Sequence, residues 1–163
     1  MRRTLTLAAA VGMLALTACD RAITEPYGPF TGTWRYRAVG FQYSPSNPEF
    51  TCSLDVVIKV RQEGSRIEGV QESEPTLFHC TYTDGRTSTM GPQYGVIRGE
   101  IQDGRVHFSN AGGWHSFGEM APDRIEGYLE SYGVGSGDEV TPVRSGSFVL
   151  ERISDEGYYG PES

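Results

Sequence analysis

From residue 33 onward, apolar side chains recur at every second position in short bursts, each ended by Gly, Pro, Asp or Ser. That period turns one face of an extended chain toward a core and the other toward water; a helix would need a period near 3.6. In Thr33 to Val39, Trp34, Tyr36 and Ala38 share one face while Arg35 and Arg37 share the other. From Cys52 to Gln62, Leu54, Val56, Ile58 and Val60 point one way, and Asp55, Lys59 and Arg61 the other. Further runs span 65–72, 77–83, 94–101, 104–110, 114–120, 124–131 and 144–153. No stretch beyond residue 19 sustains a helical period. Many short strands at regular spacing predict an all-β fold, here a single up-and-down antiparallel barrel of about eight strands.

A weak internal repeat sharpens this expectation. Ile67-Glu68-Gly69, Ile97-Arg98-Gly99 and Ile125-Glu126-Gly127 each place a glycine two residues after an inward isoleucine. Turn signals precede several strands, at Glu63-Gly64-Ser65, Asp103-Gly104 and Pro122-Asp123. Glycines on an inner face let strands coil sharply enough to close a small barrel. The other reading is that they leave room for a ligand.

The first nineteen residues carry a different message. Arg2-Arg3 precede an apolar run from Leu5 to Leu16, which ends in Leu16-Thr17-Ala18-Cys19 and is followed by Asp20 and Arg21. The run is shorter than the ~20 residues a spanning helix needs. The segment resembles a bacterial lipoprotein signal peptide, whose lipobox ends in the cysteine that receives the lipid. The resemblance implies removal of residues 1–18, lipid attachment at Cys19 and residence in the cell envelope, at the outer membrane or the periplasmic face of the inner one. Two or more acyl chains, at about 0.8 kcal/mol per buried methylene, make such an anchor stable.

With Cys19 assigned to lipid, Cys52 and Cys80 remain. In an oxidising compartment they are expected to pair, although two free thiols would satisfy the count equally. Loss of Arg2 and Arg3 takes the formal charge from −7 to −9, a poor match for nucleic acid or anionic lipid surfaces. The remaining 145 residues suit one domain. The expected layout is a signal peptide (1–18), a lipidated tether (19–31), a barrel (32–153) and an acidic flexible tail (154–163). A flexible tether of that length reaches roughly 20 Å.

The barrel opens on Phe30-Thr31-Gly32-Thr33-Trp34. A Gly-x-Trp at the start of the first strand resembles lipocalins and the avidin group, the eight-stranded calycin barrels. The resemblance implies that Trp34 plugs the closed end of the barrel. In such a barrel the last strand lies antiparallel to the first. Phe148, Leu150 and Arg152 alternate along that strand, so Arg152 is expected over Trp34, an Arg–aromatic contact like that of lipocalins. The lipocalin Thr-Asp-Tyr signature is missing, since Thr83-Asp84 is followed by Gly85. The polar residues that avidins carry after their first tryptophan are missing too, so biotin binding is not implied.

Residues that could carry catalysis or bind metal are sparse. There is no Gly-x-Ser-x-Gly elbow. Gly133-Val134-Gly135-Ser136-Gly137-Asp138 lacks the lysine and helix of a phosphate loop and reads as a hairpin loop. His79, His107 and His115 show no metal-ligand spacing, and His115 and Glu119 would lie ~13 Å apart along one strand. The acidic pairs Asp138-Glu139 and Asp155-Glu156 sit in loop or tail. No catalytic, cofactor or metal site is therefore expected. Tyr36, Phe78, Tyr82, Tyr94, Phe108, Trp114 and Tyr128 are expected either to fill the barrel or to line an open mouth, with Trp34, Tyr36 and Arg152 as possible ligand-lining residues. The expected function is a non-catalytic module that captures a small, partly apolar ligand. The alternative is a filled barrel that meets an envelope protein partner.

Overall fold

β1 (Gly32–Phe41) pairs on both sides, through Thr33 to Val39 with the last strand and through Gly32 to Phe41 with the second, and this closes the sheet. The computed structural model describes residues 28–42, 49–71, 76–93, 95–110, 113–134 and 140–158, and among them there is no helix. The other strands are β2 (Phe50–Glu63), β3 (Arg66–Gln71), β4 (Thr76–Tyr82), β5 (Thr87–Gln93), β6 (Val96–Gln102), β7 (Arg105–Ser109), β8 (Trp114–Ala121), β9 (Arg124–Val134) and β10 (Val140–Ser154). Eight of them form an antiparallel ring in the order β1-β2-β3-β6-β7-β8-β9-β10 and back to β1.

The hairpin β4–β5 stands outside the ring, where a plain meander would have put the 77–83 run in the wall. β2 divides its outer edge: Ile58 to Glu63 pair with β3, whereas Phe50 to Ser53 pair with β4. β5 had no clear signature in the sequence, because Gly91 and Pro92 interrupt any alternation. The disulfide Cys52–Cys80 ties the hairpin to β2 between directly opposed residues, both buried in the core. Its sequence separation of 28 gives roughly 3.5 kcal/mol on the chain-entropy model.

The repeated glycines serve curvature. A Cβ on Gly127 would press on the carbonyl oxygen of Phe117 and lie 2.7 Å from the Cα of its opposite residue, Gly118. Gly118 in turn lies under Phe148: a Cβ there would come within 2.9 Å of that ring. The space left by the missing side chains is thus taken by a neighbouring strand and an aromatic ring. In the middle of β10, Gly146 sits at φ +76° where the pairing with β9 bulges, against the backbone of Val39 to Phe41 in β1. A bulge re-aims the side chains beside it, here Arg144.

The barrel includes more chain than expected at both ends. Residues 28–31 belong to it and not to a tether: Phe30 is fully buried, its N–H donates to Gln62 Oε1 at 2.9 Å, and Gly28 N–H donates to Gln62 O. Residues 154–158 dock as well, through Thr33 Oγ1 donating to Glu156 O and Tyr158 N–H donating to Val60 O. Buried polar Gln62 explains the first correction, because it offers the hydrogen bonds the incoming chain needs in a dry setting. Residues 1–27, with Cys19, lie outside the described residues.

Candidate functional site

Three arrangements of side chains could carry function: the floor of the barrel, its interior and one stretch of its outer wall. At the floor, Trp34 and Arg152 are directly opposed between β1 and β10. The guanidinium lies 4.2 Å from the Trp34 ring. Trp34 Nε1 donates to Phe30 O at 3.0 Å. Arg152 also donates to Thr31 O at 2.7 Å and to Pro29 O, and its Nε lies 3.2 Å from Asp123. Its side chain is only 13% exposed. One arginine thus joins the start of the barrel, the β8–β9 turn and the tryptophan. This constellation is structural in its geometry, since every donor is directed at the protein's own backbone, carboxylates or ring.

The interior above the floor is packed with rings. Phe30, Trp34, Tyr36, Phe41, Phe108, Trp114 and Phe148 are all buried, with neighbouring ring centroids 5.2–6.3 Å apart. An eight-stranded ring is just wide enough for such a filling. Tyr36 points inward and its hydroxyl lies 3.2 Å from Ser116 Oγ. Burial raises its phenol pKa well above the ordinary value. Ser131, opposite Trp114, is 2% exposed, and its hydroxyl has no hydrogen-bond partner among the described residues. The side chains of Phe78 and Tyr94 lie outside the described residues. Tyr82 packs against the core from the hairpin.

Tyr128 is not interior. Ile125, Gly127 and Leu129 of β9 face inward, so the parity of the strand turns Tyr128 to the outer wall. There it joins a ladder that the sequence reading missed. His107, Phe117 and Tyr128 occupy directly opposed positions on β7, β8 and β9. His107 and Phe117 stack at 4.3 Å with planes 2° apart, and Phe117 and Tyr128 at 5.5 Å. Arg144, re-aimed at the bulge, lies 3.8 Å over Tyr128. Two shallow grooves adjoin the ladder and share Arg105, Val106 and Phe117. One of about 510 Å³ extends to Glu119, Glu126 and Arg144. The other, of about 520 Å³, extends to Glu100, Gln102 and His107.

The ladder also brings the two outer-wall histidines together. His107 Nε2 and His115 Nδ1 are 2.9 Å apart, a hydrogen-bonding distance. Burial first, and then His107, lower the pKa of His115, while Glu130 opposes the shift. The sequence spacing of the histidines gave no sign of this approach. Spacing along one strand said nothing about a diagonal across the β7–β8 hairpin, although a turn centred between residues 110 and 114 would have revealed it. Glu119 faces Glu126 and Arg105 instead.

No known family, curated protein sequence or solved structure matches this chain.

Proposed function

We propose that this is a lipid-anchored protein of a bacterial cell envelope, exported by its lipobox signal, held to a membrane through Cys19 and working without catalysis. Its barrel is a solid scaffold, and the aromatic ladder on the outer wall of β7–β10 meets an envelope protein. The observation that carries this reading is the interior packed by seven rings, which leaves the wall as the place for recognition.

The ladder has the composition of a protein interface, with aromatic rings and an arginine gathered on one patch and charges at its rim. Because the ring faces stack on one another, the patch presents ring edges and not the open faces that a sugar would stack upon. Acidic Glu100, Glu119, Glu126 and Glu130 alternate with Arg98, Arg105 and Arg144 on this wall, which suits a partner of mixed charge better than a polyanion.

A second reading, a small and partly apolar ligand near the barrel mouth, draws on the buried hydroxyl of Ser131, which a ligand could satisfy. Site-specific photo-crosslinking in the native bacterium separates the two. A discrete adduct from position 117, absent from position 35 on the far wall, is expected on the first reading. Equal labelling at both positions, with a small molecule retained by the purified protein in native mass spectrometry, would favour the second.

A further inference from the structure

We propose that His107 and His115 form a surface site for one late transition-metal ion, with Cu(II) bound in preference to the others. The inference is independent of the proposed protein partner. It starts from the hairpin register: Ser109 opposes His115 and His107 opposes Phe117, so the two histidines are diagonal neighbours on the outer wall.

Their facing nitrogens are 2.9 Å apart. Metal–imidazole bonds run to about 2.0–2.1 Å. Two such bonds meeting at a right angle hold their nitrogens ~2.9 Å apart, whereas a tetrahedral angle requires ~3.3–3.4 Å. The observed separation is therefore that of adjacent ligands on a tetragonal ion, the geometry of Cu(II) and Ni(II), and Cu(II) is the tighter of the two.

One nitrogen of the pair now donates its hydrogen to the other. To bind the ion, the donor imidazole moves that proton to its second ring nitrogen, so both facing lone pairs become available and no proton is lost. The rings must then turn, so that lone pairs facing one another along the hydrogen bond converge on a common point. Phe117, stacked flat on His107, holds that ring's plane.

The surroundings suit a dication. Glu100 opposes His107 across β6–β7, and Glu130 opposes His115 across β8–β9. Arg98 lies opposite Ser109, and Arg144 opposite Glu130, each one position further from the pair. Two carboxylates thus stand nearer than any arginine in the register, and water completes the coordination.

The test is Cu(II) titration of the full-length protein, read by electron paramagnetic resonance. One equivalent should bind with the hyperfine pattern of two imidazole nitrogens. Loss of an outer-sphere partner alone weakens metal sites ~10–100-fold, so His107→Gln or His115→Gln should each weaken this one at least tenfold. His79→Gln, at an exposed position on β4, should leave it intact. The proposal is overturned if the wild-type spectrum lacks the two-nitrogen pattern, if that pattern survives either of the first two substitutions, or if His79→Gln removes it. A wild-type spectrum without the pattern overturns the proposal even if a variant fails to fold.

Discussion

Replacing Trp34 by alanine tests the floor of the barrel most directly. Trp34 is 0% exposed, so the substitution removes a fully buried indole and leaves a cavity, which typically costs ~3–5 kcal/mol. Two specific contacts push the value toward the upper end. The Nε1 hydrogen bond to Phe30 O contributes ~1 kcal/mol, and the Arg152 guanidinium over the ring ~0.5–2 kcal/mol. Trp34→Phe keeps an aromatic ring but drops the hydrogen bond, and should cost ~1–2 kcal/mol. Urea unfolding followed by far-UV circular dichroism gives these differences, with the slope unchanged if only the native state is affected. A double-mutant cycle with Arg152→Met should return a coupling of ~0.5–1.5 kcal/mol. A loss below ~1 kcal/mol for Trp34→Ala would falsify the closing role, because a plug of this size cannot be removed so cheaply. A coupling indistinguishable from zero would leave the plug but remove the cation–ring contact from the account.

Two further outcomes follow from other parts of the molecule. Gly127→Ala should destabilise the fold by more than ~1 kcal/mol, since its Cβ would press on the Phe117 carbonyl and the Gly118 backbone, neither of which can swing aside; an unchanged urea midpoint would mean that the strands can separate there at little cost. The second concerns acid. His115 holds its proton less tightly in the folded chain than at its ordinary pKa of 6.5, chiefly through burial. The unfolded chain therefore binds more protons as pH falls below 6.5, and the native state loses stability in that window. Thermal unfolding between pH 8 and pH 5 should show a shallower acid-side decline in His115→Gln than in the wild type, and identical profiles would contradict the assignment.

Much of the wall could be read from alternation. Trp34, Tyr36 and Ala38 face inward as their parity requires, as do Leu54, Val56, Ile58 and Val60. The meeting of Trp34 and Arg152 was legible because antiparallel closure leaves one place for the end of the last strand. The Cys52–Cys80 bridge was legible by subtraction, on the expectation that Cys19 takes a lipid. The outward ladder was legible only in part: parity alone would have turned Tyr128 outward between inward Gly127 and Leu129, but its aromatic character argued for the core. A hydrophobic ring can satisfy itself against other rings on the wall, and single-strand patterns do not register that option.

Local sequence decides which way each side chain points, because a strand's pleat alternates every residue whatever lies beside it. It therefore carried the all-β class, the inward rows and the curvature at the glycines. It could not decide which strand each edge would meet. β2 runs unbroken past two neighbours, β4 and then β3, and nothing in its own alternation marks the handover. That choice, the exclusion of β4–β5 from the ring and the approach of His107 to His115 depend on packing summed over the closed barrel, a property of many distant residues at once.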